Sequence, residues 1–298
     1  MPPLCGERDL RYIPLMTDHP KSHTPKDSHY ARLRRAHRDQ AGGAAPQATR
    51  PQKPQHAGKP TPADRVRLYG IHTVQAALAN PRRRLMQLHV TRNALNRLEL
   101  DEASPPCPIE IVEPRFLDQE LGSDAVHQGV LLETAPLQAA RLTDLAETDL
   151  VLVLDQVTDP HNVGAILRSA VAFGAGAVVT TSRHSPQESG VLAKSASGAL
   201  ELIAYVQVTN LADALEDLKA RGFRTIGLDS AGEAELEPAL DGGRLALVLG
   251  SEGKGLRQKT RDTVDVLARL EVPGAIRSLN VSNAAAVSLY AARRHLAK

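Results

Sequence analysis

The chain reads as an α/β protein built on a mostly parallel sheet, and three observations predict this. Short apolar runs without polar alternation recur between residues 150 and 272, as strands covered on both faces require. Between them lie stretches with apolar residues at helical spacing, so strands and helices alternate. Three segments, Asp159-Pro-His-Asn-Val-Gly-Ala-Ile-Leu-Arg168, Leu249-Gly-Ser-Glu-Gly-Lys-Gly-Leu256 and Arg277-Ser-Leu-Asn-Val-Ser-Asn283, crowd small or polar residues where a strand gives way to a helix. Ligands of open α/β sheets bind in the crevice beyond the carboxyl ends of the strands, so three such turns predict one composite site.

At 298 residues the chain has room for two domains, each with its own core. No apolar run approaches the roughly 20 residues of a membrane span, and the first residues lack the apolar stretch of a secretory signal, so a cytoplasmic protein is expected. Two cysteines, Cys5 and Cys107, can form neither a disulfide framework nor a four-ligand zinc site; both read as free thiols, and no metal is expected. The net charge of +2 conceals an asymmetry, because residues 1–65 carry twelve Lys and Arg against six Asp and Glu. Rich also in Pro, Gly, Gln and His, that stretch reads as a disordered basic tail. Its Arg32-Leu-Arg-Arg-Ala-His-Arg38 cluster is either a solvated charge run or a set of phosphate contacts. Met16 offers an alternative start within it.

A small α/β domain is expected over residues 66–140. Leu68-Tyr-Gly-Ile-His72 opens with a glycine turn and continues helically through Val74, Ala77 and Leu78. Strands are expected at residues 87–91, 109–112 and 129–133, and helices near 95–100 and 115–121. A connector rich in Ala and Leu, at about residues 136–149, leads to a larger domain over residues 141–298. Its strands are expected at 150–154, 176–180, 203–207, 224–228, 245–249 and 268–272.

The first polar turn starts a helix with Asp159 as N-cap and Pro160 at the first position. Val163, Ile166, Leu167, Ala170 and Val171 form its core stripe. Asn162 and Arg168 lie off that stripe, as site residues or, alternatively, as an ion pair or solvated face. The Gly250–Gly255 stretch permits close backbone approach but matches neither a dinucleotide fingerprint nor a complete phosphate-binding loop. Ser278-Leu-Asn-Val-Ser-Asn283 precedes a helix expected from Ala284 to Leu296. One cap residue would suffice there, yet four polar side chains occupy six positions, which favours a site. The final helix carries Val287, Leu289, Tyr290, Ala291 and Leu296 over more of its circumference than one buried face needs.

In this order, Asn-x5-Arg, Gly-Ser-Glu-Gly-x-Gly and Ser-Leu-Asn-Val-Ser resemble the three motifs of the SpoU (TrmH) family of RNA ribose 2'-O-methyltransferases, in the SPOUT superfamily. Upstream, Tyr69-Gly-Ile-His72 and His127-Gln-Gly129 are similar to the substrate-binding domain of its bacterial 23S ribosomal RNA guanosine branch. The resemblance covers about residues 66–298. It implies a ribosomal-protein-L30e-like small domain, then a methyltransferase domain with a C-terminal deep trefoil knot, assembled as a homodimer. It further implies S-adenosylmethionine lying against Leu228, Gly250, Val272 and Leu279. The catalytic constellation it implies is Asn162, Arg168, Glu252, Ser278 and Asn280, with Arg168 reaching the partner's pocket.

In the family this arginine is often assigned as general base. A guanidinium is essentially always protonated, so a fixed cation beside the nascent alkoxide accounts for Arg168 with less strain. With no Trp, three Phe and five Tyr, base stacking is not the obvious mode of RNA recognition. The candidate RNA contacts are His127 and the consecutive Arg82, Arg83 and Arg84, the arginines alternatively forming a solvated turn. A transfer RNA target and a non-catalytic ribosome-assembly factor remain as alternatives, while a dinucleotide oxidoreductase is disfavoured by the missing glycine fingerprint.

Overall fold

A computed structural model describes residues 59, 61–62, 64–100, 104–275 and 278–297. Cys5, Met16, the basic cluster at 32–38 and Arg277 lie outside the described residues. Four strands, β1 (Val66–Tyr69), β2 (Leu85–Val90), β3 (Ile109–Ile111) and β4 (Val130–Thr134), form a first sheet in the order β1-β4-β2-β3. β4 runs antiparallel to β1 and β2, and β2 runs parallel to β3. Helices α1 (Ile71–Ala79), α2 (Arg92–Leu98) and α3 (Pro114–Leu121) accompany it. β1 is not among the strands expected from the sequence. Four residues are too few to show a period, and pairing with β4 decides their conformation. Lys59 and Arg65, assigned to the tail by composition, are held on this sheet by Glu120 and Glu133, at 2.5 Å and 3.0 Å.

The second sheet contains β5 (Leu150–Asp155), β6 (Ala177–Thr181), β7 (Ala204–Val208), β8 (Arg224–Leu228), β9 (Ala234–Glu235), β10 (Leu245–Gly250) and β11 (Val266–Arg269). Their order is β7-β6-β5-β10-β8-β11-β9, and every neighbouring pair is parallel. The strand expected over 268–272 begins two residues earlier and stops at Arg269, where its partner β9 also ends, which leaves Val272 in a connecting segment. The helices are α4 (Pro160–Ala172), α5 (Gly190–Ala196), α6 (Ala199–Leu202), α7 (Leu211–Ala220), α8 (Leu236–Ala239), α9 (Gln258–Thr263) and α10 (Val281–Leu296).

Successive side chains of a strand point to opposite faces, and β5 shows both faces dry. Leu150, Leu152 and Leu154 pack with Val163, Ile166 and Leu167 of α4, whereas Val151 and Val153 pack with Leu211, Leu215 and Leu218 of α7. A sheet sandwiched in this way offers polar groups to ligands only at its ends and edges. α10 lies on the α4 side. It begins at Val281, three residues before the expected start, because Asn280 caps it by accepting from the Ser282 N–H at 2.9 Å. Leu289, placed above among residues in excess of one buried face, is fully buried in this chain's own core; Val287 and Tyr290 are the exposed apolar residues of the helix.

The two sheets share one apolar core and are clasped by a buried cation. The side chain of Arg83 is entirely buried. It donates to Glu201 through Nε and Nη2 and to Glu188 Oε1 through Nη1 at 2.5 Å. The same carboxylates accept from Asn80 Nδ2 at 2.7 Å and from the Leu137 N–H at 2.7 Å. This corrects the expectation of Arg83 as an RNA contact. Two acidic residues from beyond β6 face it, and a guanidinium buried between them is withdrawn from solvent. Arg82 donates to the Glu201 carbonyl at 3.2 Å, and Arg84 is exposed without a side-chain partner among the described residues.

Helices α4 and α5 approach so closely that a Cβ built on Gly164 lies 2.4 Å from Ser195 Cβ and 2.8 Å from the Ala196 backbone nitrogen. Gly164→Ala is therefore expected to force the helices apart and destabilise the fold by about 1–3 kcal/mol. Urea denaturation at neutral pH measures this, and an unchanged midpoint would show that the helix contact yields freely.

Candidate functional site

At the carboxyl ends of the parallel strands, three turns close on one cavity of about 460 Å³. That size suits a small molecule. After β8 come Asp229 and Ser230; after β10 come Ser251 to Gly255; after β11, Leu270, Val272, Ser278 and Leu279 complete the lining with the first turn of α10. All four residues expected to meet a cofactor, Leu228, Gly250, Val272 and Leu279, line this cavity. Ser278 does so too.

The β10 loop folds back on itself through a bridge between Ser251 and Gly255. A Cβ on Gly250 would lie 2.1 Å from the Gly255 carbonyl carbon and 2.4 Å from the Leu256 nitrogen, so only glycine lets the loop close. Beneath it the carboxylate of Asp155, fully buried at the end of β5, accepts from the Arg257 N–H at 3.0 Å and from Arg257 Nε at 2.6 Å. Asp229 pairs with Arg261 at the cavity wall. Neither ion pair is among the residues expected from the sequence. Asp229-Ser-Ala-Gly232 does carry the same signal as the three motifs, an apolar strand running directly into small and polar residues.

Glu252 joins the second motif to the other two. Its Oε1 accepts from Asn280 Nδ2 at 2.5 Å, from the Val281 N–H at 3.2 Å and from Asn162 Nδ2 at 3.3 Å. Asn280 Nδ2 also donates to Asn162 Oδ1 at 3.1 Å. Asn280 thus serves twice, since its oxygen caps α10 while its amide NH₂ belongs to the cluster. A carboxylate over the first turn of α10 complements the positive end of the helix dipole. Glu252 braces the turns and makes no contact with Arg168. The Arg168 side chain is exposed, with no hydrogen-bond or ion-pair partner among the described residues. The structure therefore unites Asn162, Glu252 and Asn280, sets Ser278 on the cavity wall and leaves Arg168 facing outward.

Within the small sheet, both ring nitrogens of His127 are engaged. Nδ1 accepts from the Gly129 N–H at 3.0 Å, and Nε2 meets Asp118 Oδ1 at 3.2 Å. This histidine braces its loop rather than offering a free donor to RNA. A second, open concavity lies at the amino ends of the strands, lined in part by Asp149, Arg244 and Arg293. Its charges are spent internally: Arg293 grips Asp149 through two contacts of 2.8 Å and 2.9 Å, and this holds the Asp149 carboxyl below its ordinary range. Among the described residues no helix is long and apolar enough to cross a membrane, and no group of three or more His, Cys, Asp and Glu is placed to hold a metal.

Comparison with known proteins agrees with this geometry. The profile of the SpoU rRNA Methylase family matches residues 149–290, and a profile described as RNA 2'-O ribose methyltransferase substrate binding matches residues 67–140. A 23S rRNA (guanosine-2'-O-)-methyltransferase of Pseudomonas putida is 41% identical over 241 residues, covering 76% of this chain and 96% of the relative. The Escherichia coli K12 protein of the same description is 36% identical over 239 residues, covering 76% and 97%. Among solved structures, the SpoU methyltransferase AviRb of Streptomyces viridochromogenes, in complex with AdoMet, superposes with a TM-score of 0.65 at 22% identity, over 78% of this chain and 90% of AviRb. With its second and third motifs on one strand-end cavity, Asn162 of the first bonded to Glu252 and Asn280, and its relatives matched over nearly their whole length, the chain belongs to the SpoU rRNA methylase family.

Proposed function

We propose that this protein transfers a methyl group from S-adenosylmethionine to the ribose 2'-hydroxyl of a guanosine in 23S ribosomal RNA. The observation that carries this reading is the closure of the turns after β8, β10 and β11 on one cavity, with the Glu252–Asn162–Asn280 cluster at its edge. The lining suits the cofactor. Leu228, Leu249, Leu270, Val272 and Leu279 supply an apolar wall for a purine, while Asp229, Ser230 and the backbone around Gly250 supply polar partners. Bound there, S-adenosylmethionine supplies an electrophilic methyl group on a sulfonium.

The protein's part is to bring the ribose hydroxyl into line and ease the loss of its proton. Holding two reactants in productive geometry can contribute up to roughly 7–11 kcal/mol. Ser278 and Asn280, at the cavity mouth, orient the hydroxyl; Glu252 holds Asn280 in place, and Asn162 locks both. Arg168 stabilises negative charge on the oxygen and holds the adjacent phosphate. A planar fork serves both purposes where an ammonium would not.

In this reading Arg168 acts across a homodimer interface, in the partner's site. Its outward position and the exposed Val287 and Tyr290 of α10 support the assembly; Tyr290 stands edge-on to Phe173 with ring centroids 6.0 Å apart. The reading also includes a deep trefoil knot formed by the C-terminal segment, supported by the way Leu270, Val272, Ser278, Leu279 and Val281 share the cavity with the turns after β8 and β10. The small sheet serves as an L30e-like RNA-binding domain, with Arg82 and Arg84 as surface cations. Residues 66–140 and 141–298 are its two domains, and the protein works in the cytoplasm without a metal.

Three outcomes are expected. Gly250→Ala, which drives a Cβ into the loop's own backbone, should cost about 1–3 kcal/mol locally and weaken cofactor affinity roughly tenfold or more. Isothermal titration with S-adenosylmethionine checks this, and wild-type affinity would remove the loop from the site. Arg168→Lys should lower turnover on 23S RNA by about 10²–10³, the usual effect of losing one stabiliser of developing charge, with cofactor affinity intact. Wild-type turnover in that variant would refute the role. Finally, Tyr290→Glu is repeated on both sides of a two-fold interface, so light scattering should find monomers with little activity. A wild type that is monomeric at micromolar concentration and fully active would overturn both the dimer and the shared site.

A further inference from the structure

Between the small sheet and the catalytic cluster runs a line of polar groups carried on α5. Lys194 Nζ donates to Gln128 Oε1 at 2.8 Å, and the same oxygen accepts from the Ile71 N–H at 3.1 Å. Lys194 thereby meets two segments far apart in sequence, Tyr69-Gly-Ile-His72 and His127-Gln-Gly129. Gln128 adopts a left-handed conformation at φ 57° to make this contact. Gly70, at φ 88°, leaves room for the lysine stem; a Cβ there would lie 2.3 Å from Nζ. The next residue, Ser195, contacts His161 Nδ1 at 3.1 Å, and His161 adjoins Asn162 of the cluster.

Among the described residues the charge of Lys194 has no acidic counterpart. Its only hydrogen-bond partner among the described residues is a neutral amide, and no carboxylate there lies within ion-pair distance. By contrast, Arg83, Arg257, Arg261 and Arg293 are all paired with acidic groups. Partial burial disfavours the charged ammonium and pulls its pKa below the ordinary lysine value. A partly buried cation with two donors left over, held at the seam between the small sheet and the catalytic cluster, is placed to meet an anion.

We propose that Lys194 binds a backbone phosphate of the RNA strand as it passes from the small sheet to the cavity, with Ser195 and His161 extending the track toward Asn162. This rests on the RNA methyltransferase reading and assigns a specific phosphodiester contact within it. The competing role for Lys194 is that of a fastener that merely joins the two sheets through Gln128.

The test uses the full-length protein and a 23S ribosomal RNA transcript. Binding is measured from low to moderate salt for wild type, Lys194→Met and Lys194→Arg, alongside melting temperature and S-adenosylmethionine affinity. Lys194→Met keeps the stem against Gly70 but removes the charge. One lost phosphate contact lowers the slope of log K against log salt by about 0.7–0.9. The expected result is that loss in Lys194→Met, a wild-type slope in Lys194→Arg, and unchanged melting and cofactor affinity in both. A wild-type slope in Lys194→Met overturns the proposal, whether or not its melting temperature falls, since a fastener would alter stability and not counterion release. Failure of the underlying reading is seen separately, as a wild type that binds cofactor but transfers no labelled methyl group to the transcript.

Discussion

The site depends on one buried carboxylate. Asp155 ends the central strand β5, lies opposite Gly250 of β10, and is fully shielded from solvent. Its two hydrogen bonds from Arg257 tie the end of β5 to the far side of the glycine loop. Only the carboxylate of this pair is buried, the Arg257 side chain being 42% exposed, so it is loss of the arginine that would strand a buried charge. The chain on either side is arranged around this contact. Gln156 takes a left-handed backbone at φ 61°, and Asp159 then caps α4 through the His161 N–H. The helix so placed presents Asn162 to Glu252, and Glu252 in turn holds Asn280 at the start of α10.

The small sheet is attached by a comparable device. A guanidinium with no solvent access depends on protein partners, and Arg83 places four of its five N–H donors on Glu188, Glu201 and the Ala135 carbonyl. The connector joins the same network, since the Leu137 N–H donates to Glu188. Thr73 Oγ1 adds a bond to the Ala193 carbonyl at 3.2 Å, and Asn80 binds Glu201. These polar contacts surround a shared apolar core, so the orientation of the small sheet toward the larger one is built into the fold.

Much of the architecture is legible in the residues themselves. The strands β5, β6, β7, β8 and β10 fall within a residue of their expected positions, because an uninterrupted apolar run bounded by turns leaves little choice. α4 appears with its cap, its proline and its buried stripe. The second and third motifs meet at the cavity as their placement predicts, whereas the first reaches it only through the bonds of Asn162 to Glu252 and Asn280, and the turn after β8 takes the third side. Where the sequence misleads, distant partners are responsible. Arg83 sits between two arginines in a turn that looks like a solvated charge run, and only the approach of Glu188 and Glu201 buries it. Leu289 and Tyr290 are adjacent apolar residues with opposite surroundings, a distinction set by the position of β10 and α4 against α10.

The chain by itself determines its α/β class, its principal strands, the helix start at Asp159 and the identity of the motif residues, since these depend on period, capping and glycine conformations encoded over a few neighbours. Tertiary structure decides which charges are spent and which remain available. Arg83 is consumed by acids more than 100 residues away in sequence, His127 by Asp118 and the Gly129 N–H, and Glu252 by two asparagines from different motifs. Arg168 and Lys194 keep their charge without an acidic partner among the described residues. The physical reason is that a charge acts over its surroundings in space, with strength set by desolvation and by the partners packed against it. Those surroundings exist only once the two sheets have closed on each other.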